Sequence, residues 1–195
     1  PLSMRFLNDA TSFAVGEAWL GRGKGARKVV AATLGTGFGS AFIDDGVPVV
    51  ERDDVPEEGC LWHLPYADGI ADEYFTTRWF VKRFPEVAGQ DVSGAKEVAE
   101  AARAGNAEAL RVFEDYGRGM GGFLAPWLQK FAADAVVLGG NIAGAHDLFG
   151  PALEDACPGV RFDVSLLGEN AAMIGAARLL DDEFWARVSA QLPRI

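Results

Sequence analysis

Apolar and polar positions follow two different periods along the chain, and each change of period predicts an element boundary. Residues 28–35 form a continuous apolar run that favours a buried strand. Residues 39–44 and 47–50 flank an Asp-Gly pair, which is typical of a hairpin turn. In the last third, residues 134–140 and 160–168 have strand character, and each precedes a helical segment. This alternation predicts an α/β fold with a largely buried sheet.

Helical spacing appears in the remaining segments. Asn8 or Asp9 occupies the position of a helix N-cap, with apolar residues following at helical spacing. Residues 69–84 predict an amphipathic helix that ends before Pro85. The other expected elements are a strand at residues 4–7, an irregular loop at 51–65, and two alanine-rich helices within 93–106 and 107–132.

Composition narrows the class of protein. The chain has 195 residues, 49% of them hydrophobic, and a formal net charge of -10 without a Lys/Arg cluster, which disfavours nucleic acid and anionic membranes as partners. No apolar run approaches a membrane span. Cys60 and Cys157 form no CxxC pair and no disulfide framework. The composition therefore predicts a soluble, cytoplasmic protein.

A carboxylate and a glycine-rich stretch point to chemistry. Asp9 lies at the mouth of a predicted helix, where it serves either as a helix cap or as a base for an attacking hydroxyl. The sequence "LGTGFGS" places Gly35, Gly37 and Gly39 around Thr36, so that backbone amides reach an anion, or else it is only a tight turn. It lacks the Lys-Ser/Thr ending of a P-loop, and a hairpin rather than a helix follows it.

Two further segments have both a ligand-binding and a structural interpretation. In "VVLGGNIAG", Gly139 and Gly140 end a predicted strand before a helix, which admits a flat ligand or a phosphate, or forms a turn that binds nothing. In "CLWHLPY", His63 lies in the irregular loop, where a structural histidine is as common as a ligand-binding one. His146, near a helix start, has no predicted role.

In this order, these segments resemble the ROK family of sugar kinases and sugar-responsive regulators, part of the actin-like ATPase superfamily. "NDA" at residues 8–10, with Glu17 in the same helix, is similar to the catalytic segment, and "TLGTGFGSAFIDDG" is similar to the second phosphate loop. "VVLGGNIA" resembles the adenosine segment, and "MIGAARLL" resembles the closing helix. The resemblance spans nearly the whole chain and implies an actin-like (ribonuclease H-like) lobe with a mixed sheet flanked by helices.

The resemblance also implies residue roles. Asp9 would be the general base that takes the proton from a sugar hydroxyl as it attacks the γ-phosphate of ATP, with Mg²⁺ neutralising the phosphates. Asn8 would hold a neighbouring hydroxyl, and His63, Cys60 and Asp72 would occupy the remaining sugar-binding positions. The residues that would contact ATP and its phosphates are Gly35, Thr36, Gly37, Gly139, Gly140 and Asn141.

Departures from the family pattern change what is expected of the sugar site. Many members carry a GExGH segment, whereas this chain has "GCLWH", so that Cys60, a weak hydrogen-bond partner, replaces a carboxylate. Affinity or sugar choice should therefore differ. Asp72, adjacent to Glu73, stands where the family has a second sugar-binding glutamate. The family's cysteine-rich zinc motif is missing, so no structural zinc is predicted.

The resemblance divides the chain into three parts. Residues 1–24 would carry the catalytic aspartate on a strand and a helix at a lobe interface, residues 25–180 would form the C-terminal lobe, and residues 181–195 would form a helix that packs toward an upstream lobe. No "DxGxT" loop of that lobe is present, and the chain opens on Pro1. We therefore expect a fragment or a processed chain, inactive without the other lobe; the alternative is a native start at Met4.

Three functions stay open. The first is ATP-dependent phosphorylation of a hexose or hexose derivative, which the intact "NDA" and "LGTG" segments favour. The second is a non-catalytic sugar-sensing regulator or sugar-binding protein on the same scaffold, which Cys60 favours. The third is an isolated α/β domain that binds neither sugar nor nucleotide. The resemblance also makes a homodimer an expectation.

Overall fold

A five-stranded mixed sheet organises the computed structural model, which describes residues 4–191. Helices flank the sheet on both faces. The elements are α1 (Asp9–Leu20), β1 (Lys28–Leu34), β2 (Phe38–Asp44), β3 (Val47–Val49), a 3-10 turn (Glu57–Gly59), β4 (Pro65–Tyr66), β5 (Gly69–Ile70), α2 (Ala71–Tyr74), α3 (Thr77–Ala88), α4 (Ala95–Arg103), α5 (Ala107–Phe131), β6 (Ala135–Gly139), a second 3-10 segment (Asn141–Ala145), α6 (His146–Asp155), β7 (Arg161–Val164), α7 (Asn170–Arg178) and α8 (Asp182–Ser189).

The sheet has the strand order β3-β2-β1-β6-β7. β1, β2 and β3 form an antiparallel meander, whereas β6 and β7 run parallel to β1 on its other side. Parallel strands require crossover connections, and the long helical segment between β3 and β6 provides the first of them. The predicted α/β class with a mixed sheet is confirmed.

Both faces of the sheet are buried, and β1 shows why. Val30, Ala32 and Leu34 face a large core that contains α3 to α6, while Val29 and Ala31 face a smaller core under α1, α7 and α8. Successive side chains of a strand point to opposite faces, so a strand that is buried on both must be apolar at nearly every position. The continuous apolar run at residues 28–35 has this origin.

Local signals that depend on a few neighbouring residues are confirmed. The side chain of Asn8 accepts a hydrogen bond from the amide of Ala10 and caps α1. Asp45 and Gly46 have φ values of 49° and 77°, as a two-residue hairpin between β2 and β3 requires.

Two predicted elements are wrong in part. Residues 4–8 do not form a strand, because no strand within residues 4–191 pairs with their backbone. The side chain of Arg5 bonds to the carbonyl of Leu179 and to the carboxylate of Asp182. The single helix expected over residues 69–84 is split into α2 and α3. The hydroxyl of Thr76 donates a hydrogen bond to the carbonyl of Asp72, and this bond ends α2.

α3 also continues past its predicted end. Pro85 lies inside it, and the helix ends only at Gly89, whose φ of 66° forms a left-handed C-cap. Proline removes one amide donor from the helix, and the unpaired carbonyl four residues earlier belongs to Val81, which is exposed. Water therefore replaces the lost hydrogen bond at low cost.

The C-terminal helix packs on this lobe. Phe184 and Val188 of α8 are buried in the smaller core. Whether residues 181–195 also face an upstream lobe stays a prediction; Pro1 and residues 192–195 lie outside the described residues. None of the helices formed by residues 4–191 combines the length and hydropathy needed to cross a bilayer.

Candidate active site

An open cleft of about 800 Å³ lies where β1 and β6 end and α1 begins. In a parallel arrangement the carboxyl ends of neighbouring strands meet at one edge of the sheet, and ligands bind there in many α/β folds. The cleft brings together most of the residues that the sequence singled out: Asn8, Asp9, Gly35, Thr36, Gly37, Cys60, Asp72 and Gly140 all line it.

Asp9 is exposed at the first position of α1. The capping role that competes with catalysis is filled by Asn8, which accepts from the amide of Ala10 at 2.9 Å. One oxygen of Asp9, Oδ1, lies 2.8 Å from the same amide. Among the described residues no donor reaches its Oδ2, so Asp9 offers a carboxylate oxygen to the cleft.

α1 is held in place by close backbone contacts with α7. A Cβ on Gly16 would overlap the carbonyl of Ala171, and a Cβ on Gly175 would overlap the carbonyl of Ser12. At the other end of α1, Glu17 is fully buried and accepts hydrogen bonds from the amide of Arg22 and the hydroxyl of Ser165. These contacts fix the position of Asp9 relative to the sheet.

The glycine loop (residues 35–38) joins β1 to β2, and its glycines have different roles from that of Gly39. A Cβ on Gly39 would overlap the Thr33 side chain, so packing alone requires glycine there. A Cβ on Gly35 would meet nothing within 4 Å, and one on Gly37 would meet only Asp72 Oδ1 at 3.6 Å. Neither has a positive φ. The fold does not require glycine at positions 35 and 37, and the space above them is open to a ligand.

Both ends of the glycine loop are held by residues of α2 and α3. The carbonyl of Gly35 accepts from the Thr77 amide at 2.8 Å and from its hydroxyl at 3.1 Å. Asp72 Oδ1 accepts from the Phe38 amide at 2.7 Å, and Oδ2 pairs with Arg78. Between these anchors, the amides of Thr36 and Gly37 donate to no acceptor within residues 4–191. The loop thus presents two free N–H groups to the cleft.

The environment of Asp72 therefore differs from that of a carboxylate that is free to bind a sugar. Sequence analysis placed it at a sugar-binding position, and it does line the cleft. Each of its carboxylate oxygens, however, already accepts from a protein donor. Its contact with Phe38 joins residues 34 positions apart, which no local sequence pattern reveals.

The 58–63 loop (residues 58–63) forms the opposite wall. Leu61 anchors it: its side chain is fully buried and its amide donates to the hydroxyl of Ser40 at 2.8 Å. Gly59 has a φ of 64° and packs so closely on the backbone of Val49 that a Cβ would overlap it. From these anchors Glu58, Cys60 and Trp62 line the cleft.

His63 lies beside Cys60 and is absent from the cleft lining. Its Nδ1 is 3.7 Å from the Cys60 sulfur, and its ring meets Trp62 edge-on with centroids 5.4 Å apart. Burial raises the pKa of the Cys60 thiol, the neighbouring Glu58 carboxylate raises it further, and Trp62 acts in the opposite direction.

The two glycines of the corner after β6 are both required by the fold, and a Cβ on Gly140 would overlap the carbonyl of Leu34. Gly139 is buried, and a Cβ there would overlap the Phe13 ring, so packing accounts for it. Gly140 has a φ of 82° and lines the cleft. Asn141 is exposed at the start of the 3-10 segment but does not line the cleft. Nucleotide contacts by Gly139 and Asn141 stay predictions.

The charged side chains that line the cleft are all acidic. Within the described residues they are Asp9, Glu58, Asp72 and Glu169, and no Lys or Arg is among them. A bare polyanion would be repelled by such a surface. Phosphates therefore need the free backbone amides, a divalent cation, or both.

Three large or charged cleft residues were not predicted from the sequence, in addition to the smaller Thr11, Thr33 and Ser40. Glu58 and Glu169 are exposed carboxylates, and Trp62 is a large aromatic with 45% of its surface exposed. The only available signal was the position of Trp62 within the "GCLWH" segment and of Glu58 directly before it. Glu169 comes from the turn before α7, far along the sequence, and has no such signal.

Comparison with known proteins agrees with this architecture. A model of the ROK family matches residues 2–52, which contain α1 and the glycine loop. The glucokinase of Thermotoga maritima is 28% identical over 207 residues, which cover 90% of this chain and 65% of that enzyme. The chain thus spans slightly less than two thirds of this relative.

Solved structures give the same result at the level of the fold. A ROK family glucokinase from Streptomyces griseus, in complex with glucose and AMPPNP, superimposes with a TM-score of 0.71 at 26% identity, covering 88% of this chain and 66% of that one. The ROK hexokinase from Thermus thermophilus shares the fold, with a TM-score of 0.73 at 24% identity over 88% of this chain and 62% of its own. The family model, the curated relative and the solved structures agree: the chain has the actin-like ATPase fold and is similar to the ROK family of sugar kinases.

Proposed function

We propose that this chain is the lobe of an ATP-dependent sugar kinase that carries the general base and one wall of the phosphate site. One observation carries the proposal. The free carboxylate oxygen of Asp9 and the two free amides of the glycine loop line the same cleft. Phosphoryl transfer to an alcohol needs a base for the hydroxyl and donors for the phosphate oxygens within reach of each other.

Asp9 accepts the proton of the attacking sugar hydroxyl. Its exposure keeps the carboxylate accessible, and the contacts between α1 and α7 keep it in position. Asn8 uses its oxygen to cap α1, so its amide nitrogen is the group that donates to a neighbouring sugar hydroxyl. Positioning of this kind supplies a large part of the rate enhancement in such reactions.

The amides of Thr36 and Gly37 donate to phosphate oxygens, and the open space above Gly35 and Gly37 admits the phosphate chain. The acidic lining fits a requirement for Mg²⁺, because carboxylate and hydroxyl oxygens are the ligands that this ion prefers. The Thr36 hydroxyl and the phosphates of ATP would hold it, which leaves the free oxygen of Asp9 to act as the base. When bound with ATP, Mg²⁺ neutralises the phosphate charge that the carboxylates would otherwise repel.

A hexose is the proposed acceptor. The 58–63 loop provides its side of the pocket, with Trp62 as an apolar surface for a sugar ring and Cys60 and Glu58 at its edge. The glucokinase described with glucose and AMPPNP supports a sugar and ATP as the substrate pair. The three-part division of the chain, the upstream lobe and the homodimer are part of the same proposal.

The test is the substitution Asp9→Asn in the intact protein. It removes the base but keeps the size and the helix-compatible polarity of the side chain, so kcat for ATP-dependent hexose phosphorylation should fall by roughly 10²- to 10⁴-fold. Asp91→Asn is a matched control, since Asp91 is exposed and lies away from the cleft. Activity of Asp9→Asn near that of the control would contradict the proposal.

A sugar-sensing regulator is the second candidate, and Cys60 favours it. A thiol replaces the carboxylate that the family pattern has at this position, which weakens hydrogen bonding to a sugar. The two candidates differ in the parent protein. Phosphorylated sugar formed from ATP at any hexose in a panel supports the kinase, whereas saturable sugar binding without phosphorylation supports the regulator.

A further inference from the structure

Residues 71–77, which contain α2 and the first residue of α3, form a bridge segment between the two walls of the cleft. On the side of the 58–63 loop, the amide of Ala71 donates to the carbonyl of Leu64 at 3.0 Å, and the amide of Asp72 donates to the carbonyl of Trp62 at 3.0 Å. Both bonds join backbone groups. The attachment of the bridge segment to this wall therefore does not depend on the side chains that the wall presents.

The bridge segment also holds the glycine loop. The carboxylate of Asp72 accepts from the amide of Phe38 at 2.7 Å, and the amide of Thr77 donates to the carbonyl of Gly35 at 2.8 Å. Asp72 thus bonds to both walls, to one through its amide and to the other through its carboxylate. Because hydrogen bonds weaken steeply when their geometry is distorted, a shift of the bridge segment disturbs both walls at once.

Phe75 is the buried centre of the bridge segment. Only 2% of its surface is exposed, and its carbonyl accepts from the hydroxyl of Tyr116 at 3.2 Å. The centroid of its ring lies 4.9–6.1 Å from the centroids of rings in β2, β4 and α5, which belong to Phe38, Tyr66, Tyr116 and Phe123. These separations are the ones that favourable aromatic pairs adopt.

α2 cannot fix the position of the bridge segment by itself. It has four residues, and an isolated helix of this length is unstable in water, because its few hydrogen bonds do not offset the ordering of the first turn. Its position therefore comes from packing. The Phe75 ring packs beside both walls, since Phe38 ends the glycine loop and Tyr66 follows the 58–63 loop by three residues. A close-packed interior transmits a displacement at one side to the other.

We propose that Phe75 is a positioning residue that holds the 58–63 loop and the glycine loop in register with each other. Phe75 does not line the cleft, so it acts through Asp72 and Thr77 and not by touching a substrate. The assignment of sugar to one wall and phosphates to the other rests on the proposed function, whereas the connection between the walls does not. A group on one wall affects one substrate, but Phe75 affects both.

Amide hydrogen exchange of the intact protein, measured without ligand, tests the connection. Phe75→Leu keeps an apolar side chain and loses the ring contacts. The bridge amides of Ala71 and Asp72, which face one wall, and the amides of Phe38 and Thr77, which face the other, should then exchange at least about tenfold faster, because local opening governs exchange.

Phe113→Leu is the matched control, since the Phe113 ring is fully buried against Phe80 and does not line the cleft. After correction for global stability, the control should leave the same amides at the parent rate. Steady-state kinetics give a second readout. KM for glucose and KM for ATP should each rise by roughly tenfold in Phe75→Leu, the value of one good hydrogen bond on each wall, and stay at the parent values in the control.

Faster exchange on one wall alone, equal acceleration in Phe75→Leu and Phe113→Leu, or a rise in only one of the two KM values would each overturn the proposal. Loss of sugar phosphorylation in the parent would contradict the proposed function instead, and exchange would still decide the role of Phe75, because it needs no substrate. Should Phe75→Leu fail to fold, Phe75→Met takes its place, since a flexible methionine fills irregular space in a core.

Discussion

The two walls of the cleft are built in opposite ways. The glycine loop offers backbone amides and open space, and its ends are fastened by Asp72 and Thr77. The 58–63 loop is fastened at Gly59 and Leu61, and it offers the side chains that alternate with those anchors. Backbone groups are the same whatever the sequence, whereas side chains change with every substitution.

This difference corresponds to two tasks in the proposed reaction: binding the phosphates of ATP, which is the same for every sugar, and recognising one particular sugar. A phosphate chain is common to all reactions that use ATP, and a surface of fixed amides suits it. Sugars differ in the position of hydroxyl groups, and a surface of exchangeable side chains distinguishes them. Changes to the glycine loop should therefore affect turnover with every sugar, and changes to the 58–63 loop should affect the choice of sugar.

The largest effect is expected from filling the glycine loop. Gly37→Val places a branched side chain in the space proposed for phosphates, and kcat/KM for ATP should fall at least about a hundredfold, as expected when reacting groups are misplaced by an ångström. Thermal stability should change little, because a Cβ there meets only Asp72 Oδ1 at 3.6 Å.

Gly122→Val is the control for the residue change, as Gly122 has open space around it and is remote from the cleft. Steady-state kinetics with ATP and thermal melting curves of both variants test this prediction. If Gly37→Val turned over ATP as the control does, the glycine loop would not contact phosphate.

A smaller effect is expected from cutting one anchor of the glycine loop. Asp72→Ala leaves the Phe38 amide and Arg78 without their acceptor, so kcat should fall by roughly tenfold or more and stability should drop by about 1–3 kcal/mol. Asp72→Asn keeps an acceptor for the amide and should recover most of the lost stability.

The Asp72 variants also distinguish an anchor from a sugar ligand. An anchor of the phosphate wall raises KM for ATP when it is lost, at nearly constant KM for sugar. The opposite pattern, a raised KM for sugar alone, would support the sugar-binding assignment made from sequence and would show that Asp72 releases its protein partners when substrate binds.

The smallest effect is expected on the sugar wall. Cys60→Glu replaces a weak hydrogen-bond partner with a strong acceptor at the position where the family pattern has a carboxylate. KM for the preferred hexose should fall by roughly tenfold, the value of one additional good hydrogen bond, with kcat unchanged. Cys157→Ser serves as the thiol control. A change in KM for ATP instead of sugar would contradict the proposal that the 58–63 loop binds the sugar and the glycine loop binds the phosphates.

Sequence reasoning succeeded where the cause lies within a few residues. The Asn8 cap and the Asp45-Gly46 turn are decided by the side chains and φ preferences of adjacent positions. The sheet strands follow from apolar runs. The match of several segments in order pointed to the resemblance to the ROK family and to the fold.

It failed where the cause is a contact between distant residues. Asp72 was placed at the cleft, but its bond to Phe38 depends on how β2 passes α2. The end of α2 depends on the hydroxyl of Thr76, which competes for a carbonyl that the helical pattern does not reveal. Residues 4–7 have a strand-like pattern, yet a pattern does not supply the partner that a strand needs.

The backbone contact between α1 and α7 has a consequence for how the protein tolerates mutation. Gly175 touches no cleft residue, but any side chain there would push against the carbonyl of Ser12, three residues after Asp9. A substitution at Gly175 would displace the start of α1 and with it the carboxylate. Such a variant would look catalytically dead while its cleft sequence remained intact, so a genetic screen for inactive alleles should recover α7 as readily as the residues beside the substrate.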